Sequence, residues 1–244
     1  MRRALVTGSA AGLGRALVET LLGDGWQVCG VDRDEAERTE RYVHYRADLS
    51  DPDAVDDLLN RIDGRFDLVV LNAGISATGR FEVIPAEVHA RLLAVNAEAP
   101  LVLADGLMGK GQLDPSSRIV IIASLSVDVG YPGAASYAAS KDALAGYARS
   151  IRRRKGSPSV TLVLPGPIRT EHAARHAPAN SSDASRMPPE LLARQIVRVA
   201  RRGARTLRPG VAASAAGLLG RLAPGLTARA MRRALFEKLD REVW

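Results

Sequence analysis

Two side chains suited to proton chemistry, the phenol of Tyr137 and the ammonium of Lys141, are four residues apart. On a helix, this spacing places both groups on the same face. A free tyrosine has a pKa of about 10 and is a poor acid or base at neutral pH. A lysine cation beside it favours the phenolate, so we expect a lowered pKa and a general acid/base at Tyr137. In isolation, however, such a pair is more typical of an ordinary helix surface.

A glycine-rich segment near the N-terminus predicts a phosphate site. It runs from Thr7 to Gly14, after a short apolar run and before a helical pattern. Glycines allow a tight turn and let the backbone approach a pyrophosphate, which then lies against helix N–H groups. Glycine turns are common, so this pattern alone is weak. The residues expected to contact the phosphates are Gly8, Ser9, Gly12, Leu13 and Gly14.

Several segments together resemble the short-chain dehydrogenase/reductase family. The glycine spacing resembles its cofactor fingerprint, and Asp48-Leu49 resembles its adenine contact. Asn72-Ala73-Gly74 resembles its Asn-Ala-Gly signature. A later segment resembles the part of the family site that reaches the nicotinamide, and supplies Pro165, Gly166, Ile168 and Thr170. The resemblance covers about residues 3–208 and implies that the chain binds NAD or NADP.

The resemblance also implies roles for the polar residues near Tyr137. Tyr137 would exchange a proton with the substrate oxygen while hydride passes to or from the nicotinamide. Lys141 would hold the nicotinamide ribose and join a proton relay. Ser124, 13 residues before Tyr137, would bind the substrate oxygen, although Ser126 is a nearby alternative.

Asn96 completes the catalytic set that the resemblance implies. It lies in a long predicted helix, which it would distort while holding a water for the lysine relay. Asparagine disfavours helix interiors, which fits that role and equally fits a simple exposed position. One residue departs from the family pattern, because Val127 stands where glycine is frequent three positions after the serine.

The choice of cofactor depends on two adjacent residues. Asp32 ends the second predicted strand, 18 residues after Gly14, where a carboxylate can bind ribose hydroxyls and repel a 2′-phosphate. A turn or helix-capping aspartate is the alternative for this residue. Arg33 argues the other way, because a guanidinium binds phosphate well. We expect NAD(H) to be preferred over NADP(H), since Asp32 is at the expected point of contact.

The combined pattern predicts an oxidoreductase that interconverts an alcohol and a ketone or aldehyde. A nucleotide-sugar epimerase or dehydratase would carry the same Tyr-Lys pair, but with other glycine spacing and a longer substrate domain. A catalytically silent dinucleotide sensor or scaffold is the non-enzymatic alternative, and it would be expected to lose catalytic residues. The substrate stays open, with a pocket expected to include Ser126, Tyr131, Ile168 and His172.

Alternating apolar runs and helical patterns predict an α/β fold with one doubly wound parallel sheet. We expect a catalytic domain over residues 1–208 and a helical extension over residues 209–244. The predicted strands are Ala4–Thr7, Gln27–Val31, Tyr42–Tyr45, Phe66–Leu71, Ile119–Ala123, Val160–Leu164 and Ala204–Leu207. The predicted helices are Leu13–Gly23, Asp53–Asp63, Glu87–Met108, Ala135–Lys155 and Pro189–Arg202. Arg169–Met187 is expected to form a lid or binding loop.

The basic charge lies near the C-terminus. Nine arginines and no acid lie between Arg198 and Arg233, so the formal charge of +7 leaves the rest of the chain nearly neutral. With 4% aromatic residues, nucleic-acid binding is disfavoured. Two helices are expected, Val211–Leu222 and Leu226–Leu239, with Thr227 as the candidate cap of the second. This basic amphipathic pattern could contact an anionic membrane surface, but packing against protein is the favoured interpretation.

The remaining expectations concern location, assembly and metals. The N-terminus has no room for a signal peptide before the glycine turn, so a cytoplasmic protein is expected. By resemblance, the two long helices would pair in a homodimer or homotetramer through small and apolar residues, namely Ala90, Leu93, Ala94, Ala97, Ala139, Ala143 and Leu144. His172 and His176 are expected to be lid residues, and no metal site is expected.

Overall fold

The computed structural model describes residues 1–176, 186–234, 237 and 242–244. Its centre is a seven-stranded parallel sheet with the strand order β3-β2-β1-β4-β5-β6-β7. The strands are β1 (Arg3–Thr7), β2 (Gln27–Asp32), β3 (Tyr42–Arg46), β4 (Leu68–Leu71), β5 (Arg118–Ile122), β6 (Ser159–Val163) and β7 (Thr206–Leu207). The predicted fold class is therefore confirmed.

Helices cover both faces of the sheet, which explains why the central strands are continuously apolar. Apolar side chains of α2, α4 and α6 form the core on one face, and those of α1 and α8 form it on the other. The helices are α1 (Gly12–Gly23), α2 (Pro52–Arg61), α3 (Ala86–Leu93), α4 (Ala99–Gly109), α5 (Ser126–Val129), α6 (Ala135–Ile151), α7 (Glu171–Arg175), α8 (Pro189–Arg201), α9 (Val211–Leu222) and α10 (Pro224–Ala234).

The strand order reverses between β1 and β4, and this reversal places the site. Val6 of β1 is in register with Val70 of β4, so the chain leaves both strands at the same edge of the sheet. In open parallel sheets, ligands bind in the crevice outside the carboxyl ends of the strands at such a reversal. The glycine turn after β1 and the Asn72-Ala73-Gly74 segment after β4 meet in this crevice.

The long helix predicted over Glu87–Met108 is interrupted. A π-helical turn, Ala94–Glu98, separates α3 from α4 and contains Asn96. The whole stretch, Ala86–Gly109, is the one helix in the described ranges that is long and apolar enough to span a membrane. Its inward-facing leucines, including Leu92 and Leu103, are fully buried in the core. The stretch is therefore packed as a core helix.

The C-terminal helices differ from the prediction at their junction. The second helix begins at Pro224 rather than Leu226, since proline is well suited to the first helical position. Thr227 was expected to cap this helix, and that expectation is wrong. Thr227 lies within the helix, and its hydroxyl donates to the carbonyl of Ala223 at 3.0 Å. Leu235 and Leu239 of the predicted apolar stripe lie outside the described residues.

Two short helices were not predicted from the sequence. α5 follows β5 directly, and α7 begins the segment that was expected to be a lid loop. Residues 177–185 of that segment lie outside the described ranges. The helix predicted to reach Lys155 ends at Ile151.

Candidate active site

The turn between β1 and α1 requires its glycines. Gly8 and Gly12 have φ angles of 67° and 52°, in the left-handed region that favours glycine. A Cβ atom on Gly14 would overlap the carbonyl oxygen of Gly8, so α1 begins directly against the turn. The turn thus leaves open backbone at a helix N-terminus, where N–H groups favour an anion.

Asn72 fastens this turn to the end of β4. Its Nδ2 donates to the carbonyl oxygens of Thr7 at 2.9 Å and Gly8 at 3.3 Å. In return, the Thr7 hydroxyl accepts from the backbone N–H groups of Asn72 and Ala73, each at 3.0 Å. The two strand ends are therefore held as one rigid unit below the crevice.

A cavity of about 590 Å³ fills the crevice and gathers most of the predicted cofactor residues. Those that line it are Gly8, Gly12, Leu13, Asp32, Arg33, Asp48, Leu49, Asn72, Ala73, Gly74, Tyr137, Lys141, Pro165, Gly166, Ile168 and Thr170. Gly14 is not in the lining, because it packs behind Gly8.

Ser9 is the predicted cofactor residue whose side chain the structure places elsewhere. It is buried beneath the turn, and its hydroxyl accepts from the Tyr42 hydroxyl at 3.1 Å. Gly30 on β2 makes room for this pair, since a Cβ atom there would overlap the Tyr42 hydroxyl oxygen. The turn sequence gave no indication of this, because the partners are more than 20 residues away.

Asp32 serves the turn and also faces the cavity. One carboxylate oxygen accepts from the backbone N–H of Ala10 at 2.9 Å, and the other accepts from that of Asp34 at 3.2 Å. Arg33 is beside it, largely exposed, with its Nε 3.9 Å from the Asp34 carboxylate. Both interpretations of Asp32, a turn aspartate and a ribose contact, are thus compatible with its position.

Asp48 closes the same end of the cavity. Hydrogen bonds from the backbone and hydroxyl of Ser50, together with the charge of Arg91, lower the pKa of its carboxyl. The Arg91 guanidinium is 3.6 Å from the carboxylate. Asp48 therefore remains an acceptor for a ligand amine throughout the neutral range.

Tyr137 and Ser124 meet at the inner end of the cavity. Burial raises the pKa of Tyr137 and outweighs the opposite effect of the neighbouring Ser124 hydroxyl, which favours the tyrosinate. The nearby phenol of Tyr131, packed edge-to-face at 6.2 Å between ring centroids, acts in the same direction as burial. The lowered pKa expected from the sequence is therefore not a property of the protein groups alone.

Lys141 reaches the same point from one turn further along α6. Its Nζ donates to the carbonyl oxygen of Ile122 at 3.2 Å and is 5.5 Å from the centroid of the Tyr137 ring. Burial lowers the pKa of Lys141 to about 8. At pH 7 most Lys141 side chains therefore remain protonated, and a positive charge lies close to the phenol.

Asn96 lies behind the cavity and holds the lysine's surroundings in place. It is fully buried, its Oδ1 accepts from the backbone N–H of Ile75 at 2.8 Å, and its Nδ2 donates to the Ile75 carbonyl at 2.9 Å. Nδ2 also donates to the Ser140 hydroxyl at 3.1 Å. The exposed alternative for Asn96 is wrong, and the π turn directs its side chain inward.

Helices α5, α7 and α10 supply the far wall of the cavity. Ser126, Tyr131, Ile168 and His172, the expected substrate contacts, all line it. Met231 of α10 joins them. Burial, with the positive charges of Arg175 and Lys141, lowers the pKa of His172. This wall is mainly apolar, with a few hydroxyl and imidazole groups.

His172 and His176 are neighbours, with ring centroids 4.8 Å apart. His176 shares a hydrogen bond with the Thr78 hydroxyl at 3.2 Å. Within the described ranges, no three His, Cys, Asp or Glu side chains gather as a metal site would require.

One protein family matches the part of the chain that carries these features: the glycine turn, the hydrogen bonds of Asn72 and the group of Ser124, Tyr137 and Lys141. The family described as short chain dehydrogenase matches residues 2–181. The chain belongs to this family. This short-chain dehydrogenase is an NAD(P)-dependent oxidoreductase.

Curated relatives cover most of this short-chain dehydrogenase. The cyclic-di-GMP-binding biofilm dispersal mediator protein of Escherichia coli (strain K12) is 34% identical over 71% of this chain and 76% of its own length. The 3-oxoacyl-acyl-carrier-protein reductase FabG of the same organism is 31% identical over 69% of this chain and 74% of its own.

Solved structures show the same fold. A short-chain dehydrogenase from Burkholderia cenocepacia J2315, in complex with NADP, has a TM-score of 0.77, 24% identity and coverage of 96% of this chain and 99% of its own. BdcA in complex with NADPH has a TM-score of 0.68, 27% identity and coverage of 84% and 92%.

Several residues of the site could not be found from the sequence. Ser140, the buried partner of Asn96, looked like an ordinary residue between Tyr137 and Lys141. Met231 belongs to a segment more than 90 residues from Tyr137, and no local pattern places it in the cavity.

Proposed function

We propose that this short-chain dehydrogenase interconverts an alcohol and a ketone or aldehyde, with Tyr137 as general acid/base. The observation that carries the proposal is that the neighbouring hydroxyls of Ser124 and Tyr137 line one cavity with Lys141, whose ammonium nitrogen is 5.5 Å from the centroid of the Tyr137 ring. Two hydroxyls so arranged can bind one substrate oxygen from both sides. When bound, the nicotinamide ring supplies or accepts the hydride.

Each polar group then has a distinct task. Ser124 donates a hydrogen bond that orients the substrate oxygen and stabilises its developing charge. Tyr137 gives the proton to a carbonyl oxygen, or takes it from a hydroxyl. Lys141, whose ammonium is at the end of the same pocket, would bind ribose hydroxyls and keep positive charge close to the phenol. Asn96 positions the Ile75 backbone and α6 rather than touching the substrate.

The cofactor is proposed to be NAD(H). Asp32 faces the cavity where an adenosine ribose would lie, and a 2′-phosphate would meet its negative charge. Arg33 lines the same end and is exposed enough to turn toward a phosphate, which is the argument for NADP(H). BdcA and the Burkholderia cenocepacia protein have been solved with NADPH and NADP, respectively.

The non-enzymatic alternative, a silent dinucleotide sensor, gains no support from the site. All four catalytic positions hold the residues that proton transfer requires, and three of them line the cavity. A panel of ketones, aldehydes and alcohols, followed by nicotinamide absorbance with both cofactors, tests the proposal. Turnover of any member above the rate without protein supports it, and cofactor binding without any turnover favours the sensor.

We also propose a cytoplasmic homodimer or homotetramer. Of the residues expected at the contact, Ala90 and Leu93 on α3 and Ala139 and Ala143 on α6 are exposed. Leu144 is only 2% exposed and belongs to the core, so it cannot contribute. Light scattering at micromolar concentration should show a dimer or tetramer, and a uniform monomer would rule out the pairing.

Membrane contact by the C-terminal helix remains the less favoured proposal. Met231 faces the cavity, which supports packing against protein. Co-sedimentation with anionic vesicles distinguishes the two, since a packed helix leaves the protein in the supernatant.

A further inference from the structure

A buried carboxylate joins the active-site loop to the C-terminal helices. The side chain of Asp128, in α5, is 2% exposed. Its two oxygens accept from Arg208, Nε at 2.8 Å and Nη2 at 3.3 Å, and one also accepts from Nε of Arg221 at 2.9 Å. Arg208 precedes α9 and Arg221 is in its last turn, so one carboxylate forms ion pairs with arginines at both ends of that helix.

The packing around this carboxylate is close. On α9, a Cβ atom at Gly217 would lie 2.8 Å from Oδ2 of Asp128, and one at Gly220 would overlap the Asp128 carbonyl oxygen. These two glycines, three residues apart, therefore let the backbone of α9 rest directly on α5. The contact is specific to this pair of short helices and not a loose surface association.

α5 in turn orients the serine that faces Tyr137. The backbone N–H of Ser126, the first residue of α5, donates to Oγ of Ser124 at 3.1 Å. The Ser126 hydroxyl is buried at the cavity wall and has no hydrogen-bond partner among the described residues, so it is available to a substrate. The opposite end of α5 carries Asp128.

The rest of the extension also reaches the site. Met231 of α10 lines the cavity. Val243, near the C-terminus, exchanges two backbone hydrogen bonds with Thr78, each 2.8 Å long. Thr78 also shares a hydrogen bond with His176, which lines the cavity. The extension therefore contacts the surroundings of the cavity at two places, through Met231 and through Val243.

We propose that Asp128 is a positioning residue that couples the C-terminal extension to the catalytic serine. The two arginines fix Asp128, Asp128 fixes α5, and the first turn of α5 fixes the hydroxyl of Ser124 and presents that of Ser126. This rests on the proposed function only for its catalytic consequence. The structural coupling itself stands without it.

Removal of a charge from the cluster of Asp128, Arg208 and Arg221 should therefore destabilise α5 without altering residues expected to contact the cofactor. Asp128→Asn removes the carboxylate charge, and Arg221→Met removes the more exposed arginine and is the milder change. Arg221→Lys keeps the positive charge, so α5 should remain nearly as well held as in the wild type. Glu19→Gln breaks a remote exposed ion pair of 3.0 Å with Arg15 and is the matched control.

Hydrogen exchange in the full-length protein provides the direct test. The amides of Asp128, Val129 and Gly130 are bonded within α5, at 2.9, 3.2 and 2.7 Å. Arg221→Met and Asp128→Asn should speed their exchange at least tenfold, with α1 and β1 unchanged, and Glu19→Gln should not. Faster exchange confined to α9 and α10, or none, would overturn the proposal. Because this readout needs no turnover, it is independent of the proposed activity.

Kinetics then test the catalytic consequence. With the carbonyl compound turned over fastest in the panel, Arg221→Met should lower kcat/KM at least fivefold while the Kd for NADH, measured by its fluorescence, stays within twofold. In Arg221→Lys, kcat/KM should stay close to the wild-type value. Equal losses of cofactor affinity and turnover would indicate general destabilisation and contradict a positioning role.

Discussion

Gly74 lies against the Lys141 side chain so closely that a Cβ atom there would be 3.2 Å from the ammonium nitrogen. The same atom would be 3.4 Å from Oδ1 of Asn96. A larger residue at position 74 would therefore press on two of the proton-transfer groups, Lys141 and Asn96.

Gly74→Ala should lower kcat at least tenfold, because displacement of a catalytic group by a fraction of an ångström is costly. Gly109→Ala, at the end of α4 with nothing within 4 Å of the added carbon, is the control. Steady-state kinetics of both variants with the best carbonyl compound measure this. Equal, near-normal kcat values would show that Lys141 tolerates displacement.

The pKa of Lys141 predicts how stability varies with pH. Burial lowers this pKa from 10.5 to about 8, so the folded state loses its proton earlier than the unfolded state. Between pH 8 and pH 10.5 the unfolded state binds more protons, and this lysine's contribution to stability becomes more favourable as the pH rises. Below pH 8 both states are protonated, and the full penalty of burying the cation remains.

Lys141→Met removes that penalty at every pH. Its stability advantage over the wild type should therefore shrink by about 3 kcal/mol between pH 7.5 and pH 10.5. Urea denaturation without added cofactor measures the difference, with the exposed Lys155→Met as control. A difference that stays constant with pH would contradict the lowered pKa.

Asp32 should control the choice between cofactors. Asp32→Asn keeps an oxygen that can accept from Ala10 but removes the charge that would repel a 2′-phosphate. The ratio of kcat/KM for NADH over NADPH should fall at least tenfold, equivalent to about 1.4 kcal/mol. A wild-type preference for NADPH greater than tenfold would show that Arg33 determines the cofactor instead.

The sequence was sufficient where short-range patterns determine structure. Short apolar runs between helical patterns predicted seven strands, three of them from continuously apolar runs, and glycines followed by a helix predicted the turn that lies in the crevice. The family resemblance placed Asn96 in a distorted helix, in agreement with the poor fit of asparagine to helix interiors, and the π turn occurs there.

Interactions over long distances were inaccessible to the same reasoning. Asp128 pairs with arginines 80 and 93 residues away, and nothing near it in the sequence marks it as an ion-pair centre. Ser9 was assigned to the cofactor because of its neighbours, while Tyr42 draws its side chain into the core. Burial raises the pKa of Tyr137 among the protein groups, and the sequence could not reveal this because burial depends on the whole fold.

The most direct test of the central claim is the turnover of Tyr137→Phe. Loss of a positioned general acid/base should lower kcat by about 10² or more, while the Kd for NADH and the free energy of unfolding stay close to wild type. Tyr147→Phe, which removes a phenol bonded to Asp105 at 2.7 Å outside the cavity, is the matched control. Near-normal kcat in Tyr137→Phe would contradict the account.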